Sequence, residues 1–423
     1  MVTGKWIFLH KLNSDGTIAI MLVGFSVASR IILTFSPVVK PTTIHTVLSL
    51  DLSNNRPVHQ LDVKKAFLHG ILSETLTLTP FVSTNLYMVS SRLLMPGTVI
   101  LLLTYRLWVF LRLSLTPPSS STNRIQSLNL LLYVDDIVLT ALSPTLLRQL
   151  LTALQASFPM KDFGLLQHFL GITVTRSPSG MMLSQQQYAL DLLERTSMTA
   201  CKLCSTPVDT QTKLSTSGDT MADPTLYRSL VGALQYLTFS RPNITYAYTF
   251  ISERASPYCG QAHSSLPVGH HRSQTLSWLH RSFSSHIYTN ADWPSCPNTC
   301  RSTSGYVVFL GDNLIFWSSK CQPNVSRSSA EAEYLTIANG VAEASWLLQL
   351  LQELHHPPQH TTLVYCDNVS DVYLSSDPMQ RQRTKHIEID LHFVRECVAA
   401  SVVCVLRVPT SSQFADLFTK SLL

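Results

Sequence analysis

Two groups of acidic residues have the spacing that phosphoryl-transfer chemistry requires. In the first group, Asp62 ends a short apolar run, and Asp135 and Asp136 follow a second apolar run further along the chain. Two divalent cations about 4 Å apart can bind the attacking and leaving oxygens of a phosphoryl group, and carboxylates on adjacent strands hold such ions rigidly. The alternative interpretation of Asp135 and Asp136 is a turn that simply favours aspartate.

The second group contains four acids from four separate segments: Asp292, Glu333, Asp367 and Asp416. Asp292 and Asp367 end predicted strands, Glu333 lies in the first turn of a predicted long helix, and Asp416 opens a predicted terminal helix. Four such acids can bind two Mg²⁺ ions, an arrangement that suits hydrolysis because one ion lowers the pKa of an attacking water. The alternative role of Asp416 is to cap a helix. The alternative role of Asp367 is to begin one. Glu331 is the alternative to Glu333 as the metal-binding glutamate of the long helix.

Hydrophobic periodicity predicts the elements that must position these acids. Apolar runs across residues 128–140 predict a tight β-hairpin with the acids at its turn. After residue 285 the pattern predicts the order βββ-α-β-α-(α)-β-α, with Ser328 or Ser329 capping the long helix and a terminal helix over residues 414–422. This order predicts a mixed α/β layer fold for the second half of the chain.

Composition excludes several classes of protein. The chain has 423 residues, and this length predicts two or three domains. Its formal charge is +5 and only 13% of its residues are charged, which is weak evidence for a nucleic-acid partner. Collagen-like, disordered and coiled-coil classes are excluded, because glycines are few, apolar residues are many and no heptads are sustained. Apolar stretches at residues 17–35 and 98–115 leave a membrane-spanning alternative, which their arginines disfavour.

The residues around the first acidic group resemble motifs A and C of reverse transcriptases, specifically those of copia-type LTR retrotransposon Pol polyproteins. The similar blocks are Gln60-Leu-Asp-Val-Lys-Lys-Ala-Phe67, Tyr133-Val-Asp-Asp136, Phe169-Leu-Gly-Ile172, Tyr227-Arg-Ser-Leu-Val-Gly-Ala-Leu-Gln-Tyr236 and Arg241-Pro-Asn-Ile244. The resemblance implies a palm-type domain in which Asp62 and Asp135 are metal ligands with Asp136 beside them. It also implies that Phe67 packs under the sugar of the incoming nucleotide; an ordinary core aromatic is the alternative.

The order and element types of the second acidic group resemble the ribonuclease H fold, which follows the polymerase in this family. The family block Glu331-Ala-Glu333-Tyr334 favours Glu333 over Glu331. The block that contains His386 also matches the family, so His386 either assists product release or contacts the hybrid, unless it is a structural histidine. The implied cofactor is Mg²⁺, two ions per active site. The implied partners are an RNA template, a DNA strand and an RNA–DNA hybrid, plus deoxynucleotides if the polymerase is intact, with no membrane.

The resemblance also implies a division of the chain and a cellular place. Its expected parts are partial reverse transcriptase fingers and palm (1–160), a thumb- or connection-like segment (161–255), a degraded linker (256–285) and a ribonuclease H-like domain (286–423). Together they amount to an α+β palm-type domain, partly disrupted, followed by a mixed α/β domain. The expected location is the cytoplasm, in a retroelement particle as in the family, or the nucleus.

The segment between the two acids of the palm departs from the family pattern. The family carries Tyr-Gly-Leu-Lys-Gln-Ala-Pro-x-Ala-Trp there, whereas residues 86–98 are largely apolar. Codons can be chosen for residues 87–98 that restore the family motif in another frame, which indicates a frameshift entering before Leu86 and correcting before Leu128. We therefore expect polymerase activity to be weak or absent and ribonuclease H activity to be better retained. The alternative is an inactive, pseudogene-type product that at most binds nucleic acid.

Overall fold

The structure is a computed structural model, and both strands and helices occur among the residues that it describes. The residues that it describes are 4–12, 18–27, 41–63, 109–115, 126–133, 136–141, 143–157, 160–178, 180–198, 224–254, 275–278, 283–295, 299–354, 356–376 and 386–420. The strands are β1 (Gly4–Leu12), β2 (Ile18–Val27), β3 (Val58–Val63), β4 (Val109–Leu115), β5 (Gln126–Tyr133), β6 (Asp136–Ala141), β7 (Met160–Leu165), β8 (His168–Phe169), β9 (Ile172–Ser177), β10 (Gly180–Ser184), β11 (Thr275–Trp278), β12 (Ser285–Asp292), β13 (Thr303–Leu310), β14 (Asn313–Cys321), β15 (Thr362–Cys366) and β16 (Val403–Arg407).

The helices of the described residues are mostly short. They are α1 (Pro41–Ser53), α2 (Pro144–Ser157), α3 (Gln186–Arg195), α4 (Pro224–Leu237), α5 (Thr245–Thr249), α6 (Ser329–Glu353), α7 (Val369–Ser376) and α8 (Glu388–Ala399). Single turns of 3₁₀ helix cover Pro242–Ile244, Thr410–Ser412 and Phe414–Phe418, and a π-helical turn covers Phe250–Arg254. None of the helices in the described part of the chain combines the length and the apolar character that crossing a bilayer demands.

The sheet that contains Asp62, here called the Asp62 sheet, is antiparallel and has the strand order β4-β5-β6-β3-β7. Its central strand β6 is buried over residues 137–141, as its run of β-branched and leucine side chains favours. β5 and β6 pair as consecutive antiparallel strands, so the predicted hairpin over residues 128–140 is confirmed.

The sheet that contains Asp292, here called the Asp292 sheet, has the order β14-β13-β12-β15-β16. β12, β13 and β14 are antiparallel neighbours, whereas β15 and β16 run parallel to β12. The long helix α6 packs on β12 through Gly340, where an added Cβ would lie 3.0 Å from Thr289 Cγ2. Its N-cap is Ser328, whose hydroxyl accepts a hydrogen bond from the Glu331 backbone N–H. The predicted mixed α/β layer and the predicted cap are therefore both confirmed.

The terminal helix predicted over residues 414–422 is shorter than expected. The structure has a 3₁₀ helix that ends at Phe418, and residues 421–423 lie outside the described residues. The turn is held by side chains: the Gln413 amide donates to the Thr289 carbonyl oxygen at 3.1 Å, and Asn290 donates to Thr419 Oγ1 at 3.1 Å. Because these contacts tie the segment to β12, local helical periodicity does not set its length.

Helices from the first part of the chain pack on the outer strand of the Asp292 sheet. α1 is buried from Thr42 to Asp51, and the His45 ring donates from Nδ1 to the Ile315 carbonyl oxygen at 2.8 Å. The same ring stacks on Trp317, with the centroids 5.6 Å apart. Within the segment predicted as a linker, β11 pairs with β10. The domain boundaries themselves stay predictions.

Candidate active site

The Asp62 sheet brings two of the predicted palm acids together. Asp62 on β3 lies directly opposite Asp136 on β6, and both side chains are half-buried. Residues directly opposite each other on antiparallel strands present their side chains on the same face of the sheet. Asp135 and Phe67 lie outside the described residues, so the predicted pairing of Asp62 with Asp135 and the predicted role of Phe67 stay predictions.

The topology of the Asp292 sheet explains why two of its acids share one edge. β12 ends at Asp292, and its parallel neighbour β15 ends just before Asp367. The carboxyl ends of parallel neighbours meet at one edge of a sheet, which is where open α/β sheets bind ligands. Asp292 and Asp367 are both half-buried there.

Glu333 lies against Asp367 and is the acid of α6 that faces this edge. Burial, followed by the neighbouring Asp367 carboxylate, raises the pKa of Glu333 to about 7, which the side chain of Asn368 partly opposes. Glu333 Oε2 and Asp367 Oδ1 are both buried and have no hydrogen-bond partner. Glu331 instead accepts a hydrogen bond from the Arg327 backbone N–H at 2.8 Å, at the exposed start of the helix. The structure thus places Glu333, rather than Glu331, beside another predicted acid.

Asp416 joins the group through β12. Its Oδ1 accepts a hydrogen bond from the amide of Asn290, a buried residue two positions before Asp292. Because side chains two residues apart lie on the same face of a strand, Asp416 is held on the face of β12 that carries Asp292. Lys420 also donates to Asp416 Oδ1, at 3.0 Å.

Asp371 is an acid of this region that the motifs did not indicate. It lies in the first turn of α7 with a fully buried side chain, and neither carboxylate oxygen has a hydrogen-bond partner. Burial, and then the charges of Glu333 and Asp367, raise the pKa of Asp371 to about 8. No signal in the sequence marks Asp371, because its burial depends on how α7 packs in the fold.

His386 is exposed, two residues before α8. The buried neighbours that anchor this segment are Ile387 and Leu391. An exposed imidazole can contact a ligand, so both predicted roles of His386 in product release and hybrid contact stay predictions.

The acidic group fits a divalent cation at one position in particular. Buried carboxylate oxygens without partners are costly, and either a proton or a cation would neutralise the pair of Glu333 Oε2 and Asp367 Oδ1. Carboxylate oxygens are the ligands that Mg²⁺ prefers. Within the described part of the chain, however, no three carboxylate, imidazole or thiol side chains lie close enough to form a complete site. The pair is therefore the centre of the candidate site, while Asp292 ends the neighbouring strand β12 and Asp416 bonds to Asn290 of that strand.

Comparison with known proteins points to one family. The family described as reverse transcriptase (RNA-dependent DNA polymerase) matches residues 121–210. The Pol polyprotein of transposon RE2 from Arabidopsis thaliana is 37% identical over 455 residues, which cover 99% of this chain and 31% of that protein. A putative transposon Ty5-1 protein from Saccharomyces cerevisiae is 30% identical over 50% of this chain and 72% of its own length.

The matched relatives are transposon proteins, and the matching family model is that of reverse transcriptases. The chain belongs to the family of retrovirus-related Pol polyproteins from transposons, as its motifs predicted. It spans about a third of the length of the RE2 polyprotein that it matches.

Solved ribonuclease H structures are among those that a part of this chain resembles. The N-terminal RNase H domain of a Mycobacterium tuberculosis protein matches 33% of this chain and 91% of that chain, with 19% identity and a TM-score of 0.24. At that TM-score the likeness adds nothing to the fold class, which is defined by the strand order β14-β13-β12-β15-β16.

Proposed function

We propose that the chain is the reverse transcriptase and ribonuclease H part of a copia-type retrotransposon Pol protein, and that hydrolysis of the RNA strand of an RNA–DNA hybrid is the activity that it retains. The observation that carries this proposal is the pair of Glu333 and Asp367, which present unpartnered buried oxygens at the carboxyl end of two parallel strands. Bound Mg²⁺ ions would lower the pKa of an attacking water and stabilise the leaving oxygen.

The residues of the chain prepare this site in distinct ways. Glu333 and Asp367 repel each other when both are ionised, as the raised pKa of Glu333 indicates, so the pair attracts a cation. Asn290 orients Asp416, and the capped first turn of α6 fixes Glu333 relative to β12. Rigid placement of this kind supplies much of the rate enhancement in phosphoryl transfer.

The polymerase activity is proposed to be impaired. Asp62 and Asp136 face each other on the Asp62 sheet, whereas Asp135, the second implied metal ligand, lies outside the described residues. The family's template- and nucleotide-binding motif is missing from residues 86–98, which lie outside the described residues. Without groups that orient the template and the nucleotide, cation ligands alone leave most of the barrier in place.

An inactive chain that only binds nucleic acid is the second candidate. The observation in its favour is that the four predicted acids of the Asp292 sheet do not close into a complete cation site within the described residues. Cleavage and binding assays on the same protein separate the two candidates.

The test is cleavage of a labelled RNA–DNA hybrid in Mg²⁺ by the wild type, Glu333→Gln and Glu331→Gln. Glu331 is a matched control, because it lies on the same helix but its carboxylate caps the helix start. We expect Glu333→Gln to lower the rate at least about 100-fold, as loss of a ligand to catalytic metal should, and Glu331→Gln to lower it by less than about threefold.

The outcomes discriminate sharply. Equal rates for the wild type and Glu333→Gln would refute the assigned role of Glu333, and Asp292→Asn tests Asp292 in the same way. Hybrid binding without any cleavage would favour the inactive candidate. Primer extension on an RNA template, run in parallel, is expected to give little or no product.

A further inference from the structure

Lys420 places an ammonium group directly on one of the four predicted acids. Its Nζ lies 3.0 Å from Asp416 Oδ1, and the two residues are four positions apart at the end of the 3₁₀ turn. The Lys420 backbone N–H also donates to the Asp416 carbonyl oxygen at 3.0 Å. The backbone of the turn therefore holds the Lys420 side chain close to the Asp416 carboxylate.

Both acceptor positions of Asp416 Oδ1 are used in this arrangement. A carboxylate oxygen offers two lone pairs, and here one accepts from Asn290 and the other from Lys420. Asn290 is buried and also bonded to Thr419 Oγ1, so it is fixed. The Lys420 side chain is 45% exposed, so it is the donor that can leave.

The charge of Lys420 reaches beyond Asp416. Its ammonium is the smallest of the influences on the pKa of Glu333, which burial and Asp367 raise overall. A positive charge that acts on acids from the 3₁₀ turn and from α6 lies in the region where a divalent cation would sit.

We propose that Lys420 is an internal cation that competes with a divalent metal for Asp416. The ammonium pairs with Asp416 while the metal is absent, and metal binding to Oδ1 requires it to swing into solvent on its flexible stem. Lys420 would thus set the metal concentration at which the site fills. This inference rests on the proposed function, because it takes Asp416 to be a metal ligand.

The test is Mg²⁺ binding measured by isothermal titration calorimetry on the full chain, with Mn²⁺ as a second probe. Removing the competitor in Lys420→Gln is expected to tighten binding about two- to fivefold, the range that an exposed ion pair can account for. Lys420→Arg, which keeps the charge, is expected to bind like the wild type. The control is Lys320→Gln on β14, which removes one positive charge from an exposed lysine. Among the described residues, Lys320 has no ion pair, so this variant measures the effect of a general loss of positive charge.

A double-mutant cycle with Asp416→Asn identifies the site of competition. In the Asp416→Asn background, Lys420→Gln is expected to leave metal affinity unchanged, because the contested ligand is already gone. The inference would be overturned if Lys420→Gln tightened metal binding equally in the Asp416→Asn background. It would also be overturned if Lys320→Gln tightened metal binding as much as Lys420→Gln does, since either result would show a general charge effect. Unchanged or weaker binding in Lys420→Gln alone would also overturn it.

Failure of this inference is distinguishable from failure of the proposed function. Metal binding by the wild type that Lys420→Gln does not tighten contradicts only the role of Lys420. No saturable binding in either protein contradicts the metal site itself, and the inference falls with it.

Discussion

Three carboxyl groups crowd the interior below the edge of the Asp292 sheet. Glu333, Asp367 and Asp371 interact electrostatically, and each has at least one buried oxygen without a hydrogen-bond partner. Placing like charges together in a poorly solvated region destabilises the folded state unless a proton or a cation neutralises them. The acids that suit cation binding therefore cost stability when no cation is bound.

Asp371→Asn should remove a pH-dependent part of this cost. The folded-state pKa of Asp371 is raised from 3.8 to about 8, so folding binds a proton, and the stability that this proton supports is lost as pH rises towards 8. Asparagine has nearly the same shape and cannot ionise. We expect the variant to be more stable than the wild type by about 1–3 kcal/mol near pH 8, with a much smaller difference near pH 5.

Thermal unfolding in metal-free buffer at several pH values measures this difference. Glu331→Gln is the control, because it removes a carboxylate from the exposed start of α6 rather than from the buried cluster. If the stability of the wild type and of Asp371→Asn changed with pH in the same way, the raised pKa of Asp371 would be contradicted.

Among the elements, the short 3₁₀ turn depends on close approach to β13. A Cβ added at Gly305 would lie 2.7 Å from both Phe418 Cβ and Thr419 Cγ2, closer than packed atoms allow. The turn that carries Asp416 therefore packs directly on the backbone of the strand. A glycine is required here for space, not for an unusual backbone angle.

Gly305→Ala should displace this turn. We expect a loss of about 1–3 kcal/mol in the free energy of unfolding, because overpacked interiors strain their neighbours. The matched control is Gly232→Ala on the exposed face of α4, where no heavy atom lies within 4 Å of the added Cβ. That change should stabilise the protein by up to about 1 kcal/mol, since alanine favours helix. Chemical denaturation measures the free energy of unfolding of both variants. Equal changes in Gly305→Ala and Gly232→Ala would contradict the close contact at Gly305.

At the scale of the whole molecule, the two halves of the chain share a packed contact. α1 lies on β14 through the ring of His45, and Trp317 Nε1 donates to the Thr238 carbonyl oxygen at 3.1 Å. Thr249 Oγ1 donates to the Ser319 carbonyl oxygen at 2.8 Å. Segments around the polymerase motifs therefore cover the outer strand of the Asp292 sheet and couple the stability of the two parts.

Acid should weaken this contact through His45. Burial lowers the pKa of His45 from 6.5 to about 4, although its hydrogen bond to Ile315 opposes the shift. The unfolded chain binds the proton first as pH falls below 6.5, so the stability present near neutral pH is lost on the way down to about pH 4. The His45 part of that loss is about 2 kcal/mol between about pH 7 and pH 5.

His45→Phe isolates this contribution. Phenylalanine keeps an aromatic ring against Trp317 but cannot be protonated, so its stability should fall less than that of the wild type between about pH 7 and pH 5. Near pH 7 the variant should be less stable, because the Ile315 carbonyl oxygen loses its donor. Denaturant unfolding at both pH values tests the prediction, and an identical pH dependence of the two proteins would refute it.

Local sequence was sufficient for several elements and for the family, although not for the length of the terminal helix. The hairpin of β5 and β6, the cap at Ser328 and the order of elements along the second half follow from period, turn residues and capping, all of which act over a few residues. The motifs around Asp62 and Tyr133 predicted the Pol family, which comparison confirmed. The residues that could carry phosphoryl-transfer chemistry were named from the same short blocks.

The contacts between those blocks were decided only by the tertiary structure. The family block favoured Glu333, but its contact with Asp367 is seen only in the folded chain, and the buried Asp371 belongs to no motif. The 3₁₀ turn at Asp416 is shaped by Asn290, more than a hundred positions earlier in the chain. Local periodicity carries no information about such distances, because burial and charge interactions depend on which distant segments the packed chain brings together.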